Sequence, residues 1–442
     1  MTRKETNYAS HGYHKYPAKF IPQLVRRLLE EYSKEGDIIL DTFGGCGTTL
    51  VESKLNGRSG ICIDVNEAAL LMSSAKANSI DPILLEKANK NLLDRVAKNT
   101  DTKNYYKNAN ARLKYWFGQR QFNKLNRIFN EIQKEQNWKL RTFYNCCFSN
   151  ILKNCSIWYS KSIKPMRDPD KGEVEPINAF INHLKFMTTQ NYEYYNLIKN
   201  SKTQRAKCYI KKADARKTGL PGNFIDLIIT SPPYAISYEY ADIHQLSLLW
   251  FGFVSDLSDA HKSYIGTASR RTTSQVHINS RTASEIIEKL KGKDSGLANQ
   301  VTTYVVDLEA SFREMYRVLR YGKNTCIIIG DTEYKNIAIK NTKISLELLK
   351  FVGFDIVDVI KRRISSKTFT PYRDKDGKFS DDKSGKRMSI YQYEYIIIAR
   401  KNLWKGIPCI LSDFIKREKA HEKDNILNSL ITNGDFYGGT PT

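Results

Sequence analysis

The segment Asp37-Ile-Ile-Leu-Asp-Thr-Phe-Gly-Gly-Cys-Gly-Thr-Thr49 is the most informative about the fold, because it joins a short apolar strand to a glycine-rich turn and the start of a helix. Glycines in such a turn let the backbone bend tightly and let a ligand lie directly against it. No Gly-Lys-Ser/Thr follows, so the turn is not a phosphate-binding P-loop. Many nucleotide folds share a glycine-rich strand–helix turn, so this motif alone indicates only a ligand site at a strand end.

Strands and helices alternate on both sides of this turn. A helical apolar face precedes it over 22–33, and a helix from about 48 to 56 and a strand over 60–63 follow it. The other predicted elements are strands over 206–210, 225–230, 325–329, 354–360 and 394–399, and helices over 304–319 and 344–351. This alternation predicts an α/β fold, a three-layer Rossmann-like domain with a largely parallel sheet.

An acidic residue stands at the end of three predicted strands, namely Asp41, Asp64 and Asp214. Each of them, taken alone, is most simply a helix N-cap. Together they lie on the carboxyl edge of one sheet, which is where open α/β sheets bind their ligands. Asp64 ends the second strand, where an acid is placed to accept hydrogen bonds from ribose hydroxyls.

The segment Thr230-Ser-Pro-Pro-Tyr234 directly follows an apolar strand and is the strongest single motif. Pro232 and Pro233 fix φ and lack N–H donors, so this backbone presents carbonyl groups. A carbonyl and the Ser231 hydroxyl can accept hydrogen bonds from an exocyclic amine, and Tyr234 offers a flat face on which a base can stack. The alternative is a proline-rich surface turn without a function.

Composition narrows the class of protein. The chain has 442 residues, and its 70 Lys and Arg against 47 Asp and Glu give a formal net charge of +23. No run of about 18 apolar residues and no N-terminal apolar stretch occur, so we expect neither a membrane span nor a signal peptide. The eight Cys form no CxxC pair, which predicts no metal site and reduced thiols in a cytoplasmic protein. The charge indicates a polyanionic partner, most often nucleic acid, although a lysine-rich surface set by genome composition explains it equally well.

The charge is concentrated in one region. Residues 85–205 carry 23 Lys and Arg against 10 Asp and Glu, a net +13, and residues 102–130 hold seven basic residues, no acid and seven aromatic residues. The sparse glycine and the helical apolar spacing predict a mainly helical region. We expect it to bind DNA, with solvated faces of a helical spacer as the alternative. The basic residues selected for DNA contact are Lys107, Arg112, Lys114 and Arg120.

The chain is predicted to have four regions. Residues 1–80 carry the N-terminal part of the catalytic domain, and 81–205 form a mainly helical basic insertion, the first candidate for target recognition. Residues 206–403 complete the catalytic domain and contain a Ser/Thr-rich insertion at 256–300, which is the second candidate and is expected to be a loop that orders on DNA. Residues 404–442 are a charged tail with little pattern.

The glycine turn and the Ser-Pro-Pro-Tyr segment together resemble the motifs of the amino-methylating DNA methyltransferases that use S-adenosyl-L-methionine. The patterns of that family are Asp-Pro-Phe-x-Gly-x-Gly-Thr and Asp/Asn/Ser-Pro-Pro-Tyr/Phe/Trp, and here Thr42 takes the place of the first proline. The segments 14–22 and 321–330 resemble the segment that closes over the methionine end of the cofactor and a later helix–turn–strand. The resemblance covers about residues 11–80, 206–255 and 303–400, and it leaves out 81–205.

The resemblance implies a role for each matched residue. Asp64 would bind the ribose hydroxyls of the cofactor, and Asp214 would approach its adenine amine. Ser231 and the carbonyl of Pro232 would hold the target amine, and Tyr234 would stack on the target base. The residues implied to shape the cofactor loop or to line the methionine end are Lys19, Phe20, Asp41, Phe43, Gly45, Gly47 and Thr48.

The implied chemistry needs few groups. Hydrogen bonds to Ser231 and Pro232 would place the lone pair on the amine, and direct displacement needs no covalent enzyme intermediate, so Cys46 is a packing residue. A base in a duplex cannot reach this loop, so the target must be flipped out at a cost of roughly a few kcal/mol. Glu239 or His244 would edge the base pocket or take the released proton, and a solvated or capping role is an equal alternative.

A serine in the first position of the loop is typical of enzymes that methylate cytosine N4, whereas Asp or Asn is more usual for adenine N6. We therefore predict a site-specific cytosine-N4 methyltransferase that acts on double-stranded DNA in a restriction–modification system, beside a restriction endonuclease with the same site. Three alternatives stay open: adenine-N6 methylation, methylation of RNA or protein, and a DNA-binding protein with an inactive cofactor site.

Overall fold

The computed structural model describes residues 3–17, 19, 21–199, 203, 205–236, 239–267, 269, 276–334, 337–364 and 393–402. These residues form two compact units. The first unit is built from residues 3–213 together with 239–260, and the second from residues 214–236 together with 261–402. The tail at 404–442 lies outside the described residues, and so does most of 361–388, a stretch rich in Lys, Arg, Ser and Asp that the sequence predicts to be a loop between two strands.

The first unit contains three parallel strands. They are β1 (Ile38–Asp41), β2 (Ser59–Asp64) and β3 (Cys208–Lys212), in the order β3-β2-β1. Asp41 stands opposite Cys62, and Asp64 stands opposite Lys212. Since the strands run parallel, their carboxyl ends share one edge, as the sequence predicted.

Two helices precede β1, namely α1 (Arg3–Thr6) and α2 (Pro22–Tyr32). Helix α3 (Thr48–Leu55) connects β1 to β2, and α4 (Glu67–Ala77) follows β2. Helix α3 packs on β1 and β2, and α4 packs on β2 and β3. Helix α4 begins where the Asn66 side chain accepts hydrogen bonds from the N–H groups of Ala68 and Ala69. The apolar core between these elements consists of Leu50, Cys62, Leu70, Ala77 and Ile210.

The predicted insertion is mainly helical, as expected. It contains α5 (Pro82–Lys98), a short 3-10 helix (Tyr105–Asn108), α6 (Ala111–Trp116), α7 (Gln119–Gln133), α8 (Trp138–Cys155) and α9 (Pro176–Ile198). Two short helices of the same unit follow much later in the chain, α10 (Tyr240–Ile243) and α11 (Gln245–Trp250). Trp116 stacks on Trp158 with ring centroids 4.9 Å apart, and both are buried. Aromatic packing of this kind forms the core of the helical region.

The second unit contains the remaining strands. Strand β4 (Ile225–Thr230) runs parallel to β5 (Leu319–Ile329), while β9 (Tyr393–Lys401) is antiparallel to both β5 and β8 (Phe354–Arg363). A separate ribbon pairs β6 (Thr332–Tyr334) with β7 (Ile337–Ile339). The α/β class predicted from the sequence is therefore confirmed.

The helices that begin after residue 256 show where the sequence patterns fell short. They are α12 (Leu257–Ser263), α13 (Arg281–Lys291), α14 (Ser295–Val318) and α15 (Asn341–Val352). The expected loop at 256–300 therefore contains helices in its described part, and α14 begins nine residues before the predicted start at 304. Strand β5 begins directly after α14, where Gly322 has φ +75°, in place of the turn expected near 321. No helix in the described part of the chain is long and apolar enough to cross a membrane.

Candidate functional site

The glycine turn lies between β1 and α3, and its geometry leaves no room for side chains. Gly44 donates its N–H to the carbonyl of Ile63 at 2.9 Å, and a Cβ on Gly44 would lie 2.1 Å from Cys62 Sγ. Gly47 has φ +76°, and a Cβ there would lie 3.0 Å from Ser73 Oγ. Gly44 is therefore required for space, and Gly47 is required for its backbone conformation as well. The turn is buried and packs closely against β2 and α4.

Asp64 ends β2 beside this turn. Its Oδ2 accepts the N–H of Gly45 at 2.8 Å, and its Oδ1 accepts the N–H of Asn66 at 2.8 Å. Burial raises the pKa of Asp64 to about 6, although the backbone N–H groups of Asn66, Gly45 and Val65 counteract that rise. Each carboxylate oxygen accepts two hydrogen bonds, so Asp64 keeps acceptor capacity beyond these contacts.

Two other predicted residues of the turn, Asp41 and Thr48, are buried and contact residues of the turn itself. Asp41 is buried, and its Oδ1 accepts the N–H of Phe43 at 3.1 Å. Thr48 is buried as the first residue of α3, and its Oγ1 lies 3.9 Å from Cys46 Sγ. Burial favours the neutral Cys46 thiol, but the nearby charges of Lys76 and Lys19 lower its pKa below the usual value.

The N-terminal segment lies against the same turn. A Cβ on Gly45 would lie 3.1 Å from the hydroxyl of Tyr16, so Tyr16 covers the turn from the side of this segment. Lys19 donates from Nζ to the carbonyl of His11 at 3.0 Å and to Asn7 Oδ1 at 3.4 Å. Burial, with the charge of Lys76, lowers the pKa of Lys19 to about 8. The other residue predicted here, Phe20, lies outside the described residues.

His244 belongs to the first unit and is buried. Its Nδ1 is 2.8 Å from Asn66 Nδ2, and its ring lies 4.9 Å from that of Tyr16. Burial lowers its pKa to about 4, so the imidazole is neutral near pH 7. The buried ring does not fit the solvated alternative, whereas the capping alternative fits the backbone of His244, which stands at the end of α10 and the start of α11. Whether it meets a base stays a prediction.

The Ser-Pro-Pro-Tyr loop follows β4 in the second unit. Ser231 is half-buried and donates its hydroxyl proton to the carbonyl of Ile328 at 2.9 Å. Pro232 is buried, and Pro233 and Tyr234 are half-buried. A Cβ on Gly330 would lie 3.1 Å from the Tyr234 ring, so the missing side chain lets the ring lie on the end of β5.

Two residues after this loop, the backbone is strained. Ile236 has φ +59°, a conformation that β-branched residues rarely adopt. The preceding residue, Ala235, is buried, and its carbonyl accepts the hydroxyl of Thr332 at 3.1 Å. Such strain is most often kept at functional sites, where the surrounding contacts hold it in place.

Asp214 lies in the second unit, just after β3. Its carboxylate accepts from Arg216 Nε at 2.9 Å, and Arg216 Nη1 reaches Asp307 Oδ1 at 2.7 Å. The Arg216 pKa is raised, because the gains from both carboxylates outweigh the loss from burial. Asp214 is thus oriented by a fixed ion pair, which the sequence pattern gave no means to foresee. Its predicted approach to an adenine amine stays a prediction.

The basic residues chosen for DNA contact differ in their surroundings. Lys107 and Arg120 are exposed, and Arg120 forms only a 3.7 Å ion pair with the exposed Glu173. Arg112 donates from Nε to Gln245 Oε1 at 2.8 Å, and Lys114 donates from Nζ to the carbonyl of Lys107 at 2.8 Å. All four lie in the first unit, but three of them, Arg112, Lys114 and Arg120, also contact other residues of the chain.

The aromatic residues of this region pack mostly inward. Among them, only Tyr115 is largely exposed, at 45%, and its ring lies between the guanidinium groups of Arg112 and Arg167 at 5.3 and 4.5 Å. The rest of the seven are buried or half-buried: Tyr105, Tyr106, Trp116, Phe117, Phe122 and Phe129. The aromatic pattern of the sequence is therefore chiefly a core pattern.

Within the described residues, no group of three or more His, Cys, Asp and Glu side chains is arranged to hold a metal ion. The residues that sequence reasoning missed near the glycine turn are Tyr16, Asn66, Ser73 and Lys76. Tyr16 lies in a segment that the motif comparison had singled out, and Asn66 shows the ordinary signal of an N-cap. Ser73 and Lys76 are helix residues without any pattern to distinguish them.

Comparisons with known proteins agree with this geometry. A family model described as DNA methylase matches residues 2–75 and 225–432, which is more than half of the chain. The Type II methyltransferase M.MvaI of Kocuria varians is 27% identical over 390 residues, which cover 82% of this chain and 86% of that protein. The Type II methyltransferase M.MjaII of Methanocaldococcus jannaschii is 40% identical over 108 residues, 24% of this chain and 19% of that protein. A solved S-adenosyl-L-methionine-dependent methyltransferase from Methanosarcina mazei aligns with 88% of this chain and 100% of its own, at a TM-score of 0.30 and 10% identity.

The glycine turn lies inside the first matched range, and the Ser-Pro-Pro-Tyr loop lies inside the second. The family match leaves out the whole helical insertion at 81–205, as the motif resemblance did. The chain therefore belongs to the DNA methylase family of amino-methylating DNA methyltransferases, and S-adenosyl-L-methionine is its methyl donor.

Proposed function

We propose that this chain methylates the exocyclic N4 of cytosine in double-stranded DNA, at a base turned out of the duplex. Its role would be to protect host DNA in a restriction–modification system, beside an endonuclease that cuts the same site. The observation that carries the proposal is Ser231 in the first position of the Ser-Pro-Pro-Tyr loop, with its hydroxyl proton already committed to Ile328.

A serine hydroxyl has one proton to donate and two lone pairs that accept. Because Ser231 donates its proton to a backbone carbonyl, its oxygen is left to act as an acceptor toward a substrate. An exocyclic amine presents N–H donors, so it complements this oxygen. A ring carbonyl would find no donor at Ser231. The preference for cytosine over adenine rests on the serine itself, which is typical of cytosine-N4 enzymes.

The residues of the first unit suit the cofactor. The glycine turn lies at the carboxyl end of β1, beside Asp64, which is the edge where open α/β sheets bind their ligands. Asp64 keeps acceptor capacity that suits ribose hydroxyls. Lys19 lies close enough to the turn to influence the Cys46 thiol, so it would line the methionine end of the cofactor.

When bound, S-adenosyl-L-methionine supplies a methyl group that its sulfonium charge already activates. The amine of a base is a poor nucleophile, because its lone pair is conjugated with the ring. Hydrogen bonds from the amine to Ser231 Oγ and to the carbonyl of Pro232 would favour a tetrahedral nitrogen with an available lone pair. Tyr234, held against Gly330, would orient the ring by stacking. The chain thus contributes positioning, which is enough for a large share of the rate.

The test is the chemical identity of the methylated base. Plasmid DNA is incubated with the purified full chain and S-adenosyl-L-methionine carrying a deuterated methyl group, and the nucleosides are analysed by mass spectrometry. We expect deuterated N4-methyldeoxycytidine. Deuterated N6-methyldeoxyadenosine would overturn the choice of cytosine. Absence of label from DNA, with label in parallel reactions on RNA or protein, would overturn the whole proposal.

The matched variants are Ser231→Ala and Ser284→Ala. Both remove one hydroxyl, but Ser284 is exposed on α13 in the second unit, away from the loop. The first variant should lose most labelled product, while the second should keep it. Equal activity of both variants would remove Ser231 from the reaction.

A further inference from the structure

Lys76 is a buried cation without an anionic partner. It lies in α4, its side chain is 0% exposed, and among the described residues its Nζ has no hydrogen-bond partner of nitrogen or oxygen. Its charge and its side-chain hydrogen bond lower the pKa of the Cys46 thiol, but sulfur is a weak hydrogen-bond acceptor and compensates an ammonium group poorly. Lysines are almost never fully buried unless they are paired, because removing an ammonium group from water is costly. The Lys76 ammonium therefore needs an anion, and none of the described residues supplies one.

The position of Lys76 on α4 places it beside the glycine turn. Ser73 precedes it by three residues and so lies on the same face of the helix. Ser73 donates its hydroxyl to the carbonyl of Gly45 at 2.7 Å, and it is the side chain that a Cβ on Gly47 would meet. Side chains on a helix point back toward its N-terminus, which carries the Lys76 ammonium toward the turn.

Other charged groups of this part of the first unit are already engaged. Glu52 accepts from His11 Nε2 at 2.8 Å and from Arg26 Nε at 3.4 Å. Lys19 donates to two acceptors of the N-terminal segment. Among the described residues, Lys76 is thus a cation whose donors are left for a ligand, and it lies near Cys46, just before the N-terminal end of α3, where backbone N–H groups also favour an anion.

We propose that the Lys76 ammonium binds the carboxylate of the methionine part of S-adenosyl-L-methionine. The cofactor has a single carboxylate, and the other groups of its methionine end are a cationic sulfonium and an amino group. Only the carboxylate offers Lys76 an opposite charge. The pairing would remove the free-energy penalty of the buried ammonium when the cofactor binds. Lys76 would therefore stabilise the cofactor-bound protein relative to the cofactor-free protein. The proposal rests on the identity of the cofactor and not on the choice of target base.

The test compares S-adenosyl-L-methionine with its decarboxylated analogue, which differs only in the carboxylate. Dissociation constants for both are measured by calorimetry on the full-length wild type and on Lys76→Met, which keeps the length of the side chain and removes its charge. Wild type should prefer the carboxylate form by about 10- to 100-fold, the scale of a hydrogen bond between charged groups. Lys76→Met should lose that preference and bind the decarboxylated analogue at least as well as wild type does.

A second measurement uses the protein without cofactor. Replacing a buried unpaired ammonium by a thioether should raise the melting temperature, because the uncompensated charge is removed. Lys87→Met, at an exposed position on α5, is the matched control and should change neither the ligand preference nor the melting temperature.

Two outcomes would overturn the proposal. Equal affinity of wild type for the two ligands would do so without any variant, and so would an unchanged preference in Lys76→Met. The second result is also what pairing between Lys76 and a Cys46 thiolate would give, so the same data decide between the two partners. Both measurements omit DNA, so they are independent of the mass spectrometry that tests the target base.

Discussion

Asp64 should make cofactor binding depend on pH between pH 5 and pH 7. Burial raises its pKa to about 6, so the carboxylate gains and loses its charge within this window. An ionised carboxylate accepts hydrogen bonds through both oxygens, whereas the protonated form carries a proton that competes with ribose hydroxyls. Cofactor should therefore bind more tightly as the pH rises through 6.

The size of the effect follows from the fraction that is ionised. With a pKa of about 6, about a tenth of Asp64 is ionised at pH 5 and about nine-tenths at pH 7. If only the ionised form binds, the dissociation constant should fall about tenfold over this range, or about 1.4 kcal/mol. His244, with a pKa of about 4, stays neutral across the range and so does not contribute.

Calorimetric titration of S-adenosyl-L-methionine at pH 5, 6 and 7, at one ionic strength, measures this dependence. Asp64→Asn keeps one acceptor oxygen but cannot titrate, so it should bind with a nearly constant affinity. Asp94→Asn, which changes an exposed acid on α5, should follow the wild type. A wild-type affinity that stays constant from pH 5 to pH 7, or an Asp64→Asn variant with the same tenfold change, would refute the reasoning.

Three further predictions concern the loop, the insertion and its core. Tyr234→Ala should keep cofactor affinity in calorimetry but lose most methyl transfer, as Ser231→Ala should; near-normal turnover of both would argue against this loop. Replacing Lys107 and Arg120 by Ala should lower the log–log salt slope of DNA binding by about 0.9 for each phosphate that the protein no longer neutralises, and an unchanged slope would move recognition elsewhere. Gln245→Met should lower the free energy of unfolding by about 1–3 kcal/mol, because the buried indole N–H of Trp116, which donates to Gln245 Oε1 at 2.8 Å, is left without an acceptor. Denaturant unfolding measures this change, and an unaltered midpoint would mean that the hydrogen bond between Trp116 and Gln245 adds no stability.

The sequence predicted those elements whose boundaries are set by local chemistry. Helix α3 starts after Gly47, and β4 ends where the proline pair begins, so the predicted and observed bounds nearly coincide. Helix α14 was underestimated, because its first turns carry polar residues such as Asn299 and Gln300 that give no apolar period. Its start is instead fixed by the Asp294 side chain, which accepts the N–H of Leu297.

The residues of the candidate site also divide into those that the sequence predicted and those that it did not. Motif residues were found because glycine and proline constrain the backbone of one strand end, and that constraint is visible in the sequence. The ion pair of Asp214 with Arg216 also involves Asp307, which lies about ninety residues later, so no local sequence pattern predicts it. Lys76 is still harder to find, since a lysine on a helix is solvated in nearly every protein.

The helical insertion shows why composition alone misleads about contacts. Interleaved basic and aromatic residues are typical of surfaces that bind nucleic acid, yet most of these rings pack into the core of the first unit. Helical spacing places the rings on one face of a helix and the cations on the other. The same sequence pattern is therefore also typical of an amphipathic helix. Only Tyr115 keeps an exposed ring, between Arg112 and Arg167. The exposed cations therefore remain the argument for DNA contact, and the salt dependence of binding measures them without regard to the rings.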